Sequence, residues 1–464
     1  MNNVSDLLRL VSDKEKSSGL YEVKVKNISF WRLVRIPILR SYLLKEYGIG
    51  KGDSRNKRNK LTKTSIIKLL KTSYDSFRVI VRTVFFEKRD VDSLILAFPR
   101  LQEFDGYYID RFTDPLIELT NISKSYIIFQ RHHAGQHFGR RYNSENTIKT
   151  DSIILLASVL GVVILPLIFV LHLLPVFKLY SIANKEFGLP KRAFIRFFLT
   201  LSVFIVTKNV YKLLLKRLNI KQVFLVNREI YHPEILACKE LNIRTYEIQH
   251  GVTHSWTLLY SGLYDEELDV DGFLSFGSYW KGKQFGIPVD KIINIGWAYK
   301  QFIDDKLIIS EKLEAILVIS HSLEDMIDVI ESLSFRFFDQ KFHIRPHPHE
   351  SVSIDILRRL KQIDNVELLS NKTESIAVLN SYASVLGVSS TVLFEALALN
   401  LKVGVLNMGE CMTNIPLDKL SGVFSILNTL NDFEDFISST RTNRLDTSEY
   451  YGIFDSHQVN KLLL

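Results

Sequence analysis

The stretch VLGVSSTVLFEALALNLKVGVLN, residues 385–407, has the pattern of a strand, a turn of small hydroxyl residues, a helix and a second strand. Two strands that are joined through a helix run parallel in a sheet. Both apolar runs are continuous rather than alternating, as expected for strands that helices cover on both faces. This unit therefore predicts a parallel α/β sheet.

Similar units precede it along the chain, because short apolar runs alternate with amphipathic segments from residue 93 onward. The runs are SLILAFP (93–99), SYIIFQR (125–131), QVFLVN (222–227), RTYEIQHG (244–251), GFLSFG (272–277), AILVISHS (315–322), KFHIRPHP (341–348) and NVELLS (365–370). Their spacing predicts two consecutive doubly wound domains, residues 91–303 and 304–464. A helical, basic N-terminal region, residues 1–90, precedes them.

Composition narrows the class of protein. The chain has 464 residues, 46% of them hydrophobic, and a formal net charge of +8, which suits an anionic partner. Its two cysteines, Cys238 and Cys411, form no CxxC motif, so a disulfide framework and a structural zinc site are not expected. The first twenty residues lack a signal-peptide pattern, so we expect a cytoplasmic protein.

One segment, residues 152–180, interrupts the α/β pattern. It contains no charged residue from Ile153 to Leu174, a length sufficient to cross a bilayer. A single span would place two strands of one sheet on opposite sides of the membrane. We therefore favour monotopic contact with the inner leaflet, through a helix interrupted at Pro166. A buried core helix, an oligomer interface and a true span are the alternatives.

The sequence FHIRPHPHE, residues 342–350, concentrates cationic and titratable side chains at a predicted strand end. Arg345, His347 and His349 would lie where parallel sheets bind ligands, and the intervening prolines stiffen the turn. A rigid cationic turn suits the phosphates of a nucleotide. A structural role for each histidine is the alternative.

The turn in the opening stretch offers a second anion site. Ser389, Ser390 and Thr391 stand where the following helix begins, so their hydroxyls and its free amides would cradle a phosphate. Glu395, one turn into that helix, is placed to accept hydrogen bonds from ribose hydroxyls. Simple capping of the helix by Ser389 or Ser390 is the alternative.

In the first domain, Gln249, His250 and Gly251 follow another strand. A neutral imidazole, with an ordinary pKa near 6.5, suits a general base, so the rate would rise through pH 6 to 7. Asp105 and Asp110, after the first strand, are alternative carboxylates; Asp105 is the rival base and Asp110 belongs to the acceptor side with Gln249 and Gly251. Taken individually, Asp105 and Asp110 are each more typical of a helix cap or a turn.

The combination of EIQHG, FGSYWKGKQFGIPVDKIINIGWAYK, HIRPHPHE and GVSSTVLFEALALNLKVGVLN resembles GT-B-fold glycosyltransferases of bacterial capsule and lipopolysaccharide synthesis. It is similar to sialyltransferase-like and Kdo-transferase-like enzymes and to polyol-phosphate transferases. The resemblance implies two Rossmann-like domains that face each other across a cleft, with the donor in the second and the acceptor in the first. It also implies that His347, Ser389 and Ser390 hold the donor phosphates, with Glu395 near the ribose and His250 as base.

The expected function is transfer of a sugar from a nucleotide-sugar donor, with a CMP-activated sugar as one candidate, to a surface polysaccharide or lipid-linked glycan. The partners would be this donor, a glycan or glycolipid acceptor and the inner leaflet. We expect no cofactor and no metal, because no DxD or similar cation site stands out and cationic residues already serve the leaving group. We expect no nucleic acid, because the basic residues 55–63 lack interleaved aromatics. The rival functions are CDP-polyol phosphotransfer, sugar-nucleotide epimerisation and a non-catalytic nucleotide-binding scaffold.

Overall fold

A computed structural model of the chain provides the fold. It describes residues 4–47, 63–87, 90–133, 137–252, 258–282, 286–304, 306, 311–320, 322–347, 350, 352–370, 375–388, 390–408, 424–439 and 447–463. Residues 55–62, most of the basic run 55–63, lie outside these ranges.

The helices of the described residues are, in chain order, α1 (Val4–Ser17), α2 (Phe30–Tyr47), α3 (Lys63–Val81), α4 (Thr113–Glu118), α5 (Asp151–Phe187), α6 (Arg192–Arg217), α7 (His232–Lys239), α8 (Ala298–Asp304), α9 (Leu323–Arg336), α10 (Ile354–Leu360), α11 (Ser375–Leu379), α12 (Val392–Ala398), α13 (Leu430–Ser438) and α14 (Ser456–Asn460). Amphipathic spacing explains the regular ones. In α9 the buried side chains Leu323, Met326, Ile327 and Ile330 recur every three or four residues and so share one face.

The strands are β1 (Lys24–Val25), β2 (Ile28–Ser29), β3 (Ser93–Ala97), β4 (Gln102–Phe104), β5 (Tyr107–Ile109), β6 (Tyr126–Gln130), β7 (Thr147–Lys149), β8 (Gln222–Leu225), β9 (Arg244–Ile248), β10 (Gly272–Ser275), β11 (Ile292–Asn294), β12 (Leu313–Ile319), β13 (Lys341–Arg345), β14 (Val366–Leu368), β15 (Tyr382–Gly387), β16 (Lys402–Leu406) and β17 (Ser425–Leu427). All residues of β3 and β16 are buried, as in sheets covered on both faces.

Two large parallel sheets organise the chain. The first has the order β11-β10-β9-β8-β3-β6-β7, and the second has the order β14-β13-β12-β15-β16-β17. Every neighbouring pair in both sheets is parallel. In each sheet the first strand in sequence lies inside the sheet, the next two strands extend to one side and the remaining strands extend to the other, which is the doubly wound Rossmann topology. The predicted α/β GT-B fold, with two facing Rossmann-like domains, is therefore confirmed.

The apolar insertion is larger than residues 152–180. It forms a pair of packed helices, α5 and α6, connected around Gly188. The expected interruption at Pro166 is wrong: α5 continues through that residue. Its non-helical backbone lies instead at His172, three residues before Pro175, whose ring disturbs the preceding turn.

The N-terminal helices are joined to the first domain by buried charge. Arg32 of α2 forms two hydrogen bonds, of 2.8 and 2.9 Å, to the carboxylate of Asp269. Arg35, one turn further, pairs with Glu15 of α1 and donates to the carbonyl of Leu258. Buried arginines with several partners fix α2 in one position against the domain.

The C-terminal residues 447–463 return to the first domain. Trp297 donates its backbone N–H to Gly452, and Gly452 donates to Phe276, at 2.9 and 2.7 Å. A Cβ on Gly296, whose φ is +72°, would lie 2.0 Å from the carbonyl oxygen of Ile453. The returning segment therefore ties the second domain to the carboxyl end of the first sheet.

We predict that Gly296→Ala destabilises the protein at least twice as much as Gly106→Ala. Both glycines have positive φ, +72° and +74°, so both changes carry the left-handed cost of roughly 1–2 kcal/mol. Only Gly296 faces backbone atoms, whereas a Cβ at Gly106 meets nothing within 4 Å. Thermal unfolding of the two variants is the measurement. Equal losses of stability would contradict the close contact between Gly296 and Ile453.

Candidate functional site

A cavity of about 280 Å³ lies between the carboxyl ends of the two sheets. Parallel strands place their carboxyl ends at one edge, and here the two edges face each other. The structure brings the following predicted residues to its walls: His250, Gly251, Arg345, His347, Ser390, Thr391 and Glu395. Donor-side and acceptor-side residues thus line the same space.

The RPHP turn is held by a carboxylate that follows it. Glu350 accepts hydrogen bonds from the backbone N–H of His347 at 3.1 Å, from the hydroxyl of Ser320 at 2.9 Å and from the backbone N–H of Leu323. These bonds join the turn after β13 to the loop between β12 and α9. Arg345 is buried at the strand end and His347 is exposed to the cavity, so the turn has a fixed base and an accessible tip.

The turn of hydroxyl residues lies at the start of α12, in the same domain as the RPHP turn. Ser390 and Thr391 line the cavity, and the Ser390 hydroxyl accepts the backbone N–H of Val392 at 3.3 Å. Ser389 and His349 lie outside the described residues. Ser390 therefore bonds to the first residue of α12, whereas Thr391, the N-cap residue, makes no capping bond with its side chain.

Glu395 forms an ion pair between the domains. Arg111 Nη2, from the loop after β5, donates to Glu395 Oε1 at 2.6 Å, and both side chains are largely buried. The guanidinium also lies 5.1 Å from the ring of Tyr299. Removing one partner of such a pair costs about 3–5 kcal/mol, so the bridge holds the loop after β5 against α12.

His250 is enclosed by aromatic rings. Its Nδ1 lies 2.6 Å from Tyr260 Oη, and the same phenol accepts the backbone N–H of His250 at 3.3 Å. Phe98 and Phe112 pack on the ring, with centroids 5.8 and 6.2 Å away. Tyr260 therefore fixes the orientation of the imidazole and leaves Nε2 as the remaining ring nitrogen.

The electrostatic surroundings change the expected titration of His250. Burial, reinforced by the positive charge of Arg228, lowers the pKa of the imidazole to about 4. Arg228 is itself fully buried, donates to Glu247 at 2.8 Å and lies 2.7 Å from Asp269. The expectation of an ordinary value near 6.5 is wrong, because desolvation disfavours the imidazolium.

Gln249 and Gly251 support this loop. The Gln249 side chain is buried; its Nε2 donates to the carbonyl of Gly251 and its Oε1 accepts the N–H of Phe276, both at 2.8 Å. A Cβ on Gly251 would lie 3.7 Å from Thr391 of the other domain. Gln249 thus braces the turn, and Gly251 lies where the two domains approach each other.

The two aspartates lie in different surroundings. Asp105 is exposed at the tip of the β4–β5 hairpin, where it and Gly106 both have positive φ, as in a two-residue turn. Asp110 is fully buried and accepts the N–H groups of Phe98 and Phe112 at 2.7 and 3.0 Å. Burial raises the pKa of Asp110. Its bonds shape the loop that presents Phe98 and Phe112 to His250.

Sequence analysis did not single out several residues of this site: Arg100, Arg111, Tyr260, Ser375, Glu350 and Tyr451. Glu350 lies inside the quoted motif and Arg111 directly follows Asp110, so proximity to a motif was an available signal. Tyr260 and Tyr451 are brought to the site by tertiary packing, for which the sequence carries no local signal. Among the described residues, no cluster of three or more His, Cys, Asp or Glu suits a metal ion.

Two Rossmann-like domains with a shared cleft define the GT-B class of folds. No protein-family model and no curated protein matches the sequence. Solved structures with a similar fold include a UDP-GlcNAc 2-epimerase from Methanocaldococcus jannaschii, with 11% identity, 80% of this chain and 98% of that chain covered, and a TM-score of 0.48.

Two further structures are named as a polymerase and as a glycosyltransferase. The wall teichoic acid polymerase TagF has 9% identity, with 86% of this chain and 96% of that chain covered and a TM-score of 0.44. CalG4, the calicheamicin glycosyltransferase, has 10% identity, with 80% and 93% covered and a TM-score of 0.41. At these identities the likeness concerns the fold alone.

We predict that His250 titrates near pH 4 in the folded protein. The neutral ring is favoured on folding, so its contribution to stability is present above pH 6.5 and is lost as pH falls toward 4. NMR of protein labelled at its histidine rings would measure this titration, with His250→Gln to assign the signal. Titration between pH 6 and 7 would contradict the assigned effect of burial and Arg228.

Proposed function

We propose that the chain is a metal-independent GT-B glycosyltransferase that moves a sugar from a nucleotide-sugar donor to a bacterial surface polysaccharide or lipid-linked glycan. The observation that carries this proposal is the convergence of His250, from the first domain, with Arg345 and His347, from the second, on one cavity. A titratable group and a cationic turn on opposite walls suit an acceptor hydroxyl and a departing phosphate.

In the proposed reaction, the acceptor hydroxyl oxygen forms a bond to the anomeric carbon while the bond from that carbon to the nucleotide phosphate breaks. The hydroxyl proton passes to His250, and the bonding electrons leave with the phosphate. Arg345 and His347 stabilise the negative charge on the phosphate, together with Ser389, Ser390 and Thr391. His349 belongs to the same donor side, and Glu395 remains the proposed ribose contact.

The base role requires one tautomer of His250, and the contact with Tyr260 is compatible with it. A neutral imidazole carries one proton, and Nε2 accepts a proton only when the existing one lies on Nδ1. In this tautomer Nδ1–H donates to Tyr260 Oη, at the observed separation of 2.6 Å. With a pKa of about 4, the His250 imidazole is neutral throughout the physiological range, so its own titration leaves the rate flat from pH 6 to 8.

We further propose that the enzyme acts on the cytoplasmic face of the inner membrane, through the outer face of α5. Exposed side chains on this face include Val163, Val170 and Leu174. Stretches of 18 residues within α5 and α6 have mean hydropathies of 3.1 and 1.6, so length and composition admit a membrane role for both. Lys185, Lys191 and Arg192 are exposed around their connection and suit anionic lipid. Arg141, a basic residue that precedes the apolar segment, is buried against Asp114 and does not contribute to this contact.

We predict that His347→Ala and His250→Ala separate binding from chemistry. His347→Ala should weaken nucleotide binding by about 2 kcal/mol, roughly 30-fold, because a contact to phosphate is lost. His250→Ala should lower turnover about 100-fold or more and leave nucleotide affinity within a few-fold. A thermal-shift panel of CMP, CDP, UDP, GDP and TDP selects the nucleotide, and product analysis with an extracted glycolipid gives turnover.

Three results would redirect this proposal. Normal turnover in His250→Ala with a collapse in Asp105→Asn would assign the base to Asp105. Interconversion of the free sugar nucleotide would establish an epimerase, and transfer of a polyol phosphate would establish the phosphotransferase. Tight nucleotide binding without any transfer would leave a scaffold.

We predict that Val170→Lys weakens binding to vesicles of phosphatidylethanolamine and phosphatidylglycerol at least about ten-fold, since it places a charge on the apolar face. Ile354→Lys is the matched control, because Ile354 is 77% exposed and Val170 is 75% exposed. Sedimentation with vesicles is the measurement. Equal vesicle binding by both variants would show that this face of α5 does not contact the membrane. Labelling of introduced cysteines at 145 and 185 from opposite sides of the membrane would establish a true span.

A further inference from the structure

Another cavity, of about 380 Å³, lies at the carboxyl edge of the first sheet, beyond β6 and β7. Its volume falls within the range of small-ligand sites, roughly 300–1,000 Å³. The wall includes Arg131, which directly follows β6, Lys149, which ends β7, and His137, Arg140 and Arg141 from the segment between these strands. Among the described residues, no Asp or Glu lines this space, which we call the basic cavity.

Two of the four cations of the basic cavity already have carboxylate partners. Arg131 is paired with Glu234 of α7. Arg141 donates to both carboxylate oxygens of Asp114, at 2.9 and 3.0 Å. These two pairs fix the wall of the cavity, and their charges cancel.

The other two cations leave positive charge that is not compensated. The side chains of Arg140 and Lys149 are exposed and form no ion pair within the part of the chain that the structure describes. The carboxylate of Asp151, which begins α5, is directed to His137, with Oδ2 2.7 Å from Nε2. A phosphate monoester carries a charge of roughly −1.5 to −2 at pH 7, so two such cations match one phosphate group.

One stretch of chain separates the basic cavity from the proposed reaction cleft. Leu101 lines the basic cavity, whereas its neighbours Arg100 and Gln102 line the cleft. Gln130 of the basic cavity donates from Nε2 to the backbone carbonyl of Phe98 at 3.1 Å, and Phe98 lines the cleft. A ligand held in the basic cavity therefore lies on the acceptor side of the cleft, behind the loop that packs on the ring of the proposed base.

The basic cavity also adjoins the start of the apolar helix α5. Lys149 lies two residues before Asp151, the first residue of this helix. Leu156 and Val159 are the first large exposed apolar side chains along α5. At a rise of 1.5 Å per residue, Leu156 lies roughly 8 Å along the axis from the start of the helix. A phosphate in the basic cavity is thus close to a surface suited to hydrocarbon.

We propose that the basic cavity binds the phosphate group of a lipid-linked acceptor, with Arg140 and Lys149 as its ligands and the hydrocarbon chain on the exposed face of α5. The proposal rests on the proposed membrane-associated transferase and names its acceptor class, a glycan joined to a lipid through phosphate. The phosphate holds the lipid end outside the cleft, so that the glycan end extends toward His250.

The test is a calorimetric titration of the full chain with n-decyl phosphate below its micellar concentration. Inorganic phosphate and n-decyl maltoside probe the head group and the hydrocarbon chain alone, and we expect both to bind at least ten-fold more weakly. Lys149→Ala should weaken decyl phosphate binding at least ten-fold, because a charge-assisted contact is lost. Lys124→Ala is the matched control, since Lys124 is exposed at the amino end of β6, the opposite edge of the same sheet.

Arg140→Gly separates contact with the phosphate from a structural role. Arg140 has a φ of +34°, a left-handed conformation that glycine adopts at lower cost. We therefore expect at least ten-fold weaker decyl phosphate binding without a loss of thermal stability. Unchanged binding by this variant, or weaker binding only together with lower stability, would remove Arg140 as a ligand and overturn the proposal.

His347→Ala distinguishes the basic cavity from the donor side of the cleft, which also carries cations. We expect this variant to bind decyl phosphate as the wild type does. A larger loss in His347→Ala than in Lys149→Ala would place the phosphate in the cleft and overturn the proposal. Binding of inorganic phosphate or of decyl maltoside as tight as that of decyl phosphate would overturn it as well.

Nucleotide binding keeps a failure of this proposal distinct from a failure of the proposed function. Lys149→Ala and Arg140→Gly should bind the selected nucleotide within a few-fold of the wild type, because neither residue lines the cleft. With the extracted glycolipid as acceptor, Lys149→Ala should raise KM at least ten-fold and leave kcat within a few-fold. An unchanged KM in an otherwise active enzyme would overturn the acceptor site alone.

Discussion

The parallel direction of every strand pair in the two large sheets is the constraint on which the rest of the structure depends. Parallel strands need long crossovers, which supply the helices that bury both faces, and they place all carboxyl ends at one edge. Loops at that edge are free to carry polar side chains because the sheet behind them is already covered. Two such edges facing each other create a single cleft from segments far apart in sequence.

Closure of this cleft depends on contacts between the domains. Arg111 and Glu395 form a buried ion pair across it, and Trp280 of the first domain packs on Phe394 of the second with ring centroids 5.6 Å apart. The C-terminal segment adds backbone hydrogen bonds to Phe276 and Trp297. A charged pair with an apolar surround is specific for one arrangement, because any displacement leaves a buried charge without its partner.

Buried arginines connect the N-terminal helices to the candidate site. Arg32 and Arg228 both contact Asp269, and although burial opposes ionisation they hold the pKa of that carboxyl well below its usual range. Arg228 in turn lies beside Tyr260, which bonds to His250. The N-terminal helix α2 is therefore connected, contact by contact, to the proposed base and to its protonation state.

The sequence by itself determined the fold class and the loops that reach the cleft, since continuous apolar runs and proline or glycine turns are local signals. Strands as short as β7 and β11 lacked such a signal, and α6 was not distinguished from the α/β pattern around it. Only the tertiary structure decided how these loops act together. It paired Glu395 with Arg111, placed Asp110 in a buried loop and Asp105 at an exposed turn, and lowered the pKa of His250 to about 4. These properties depend on desolvation and on charges distant in sequence, which no local pattern encodes.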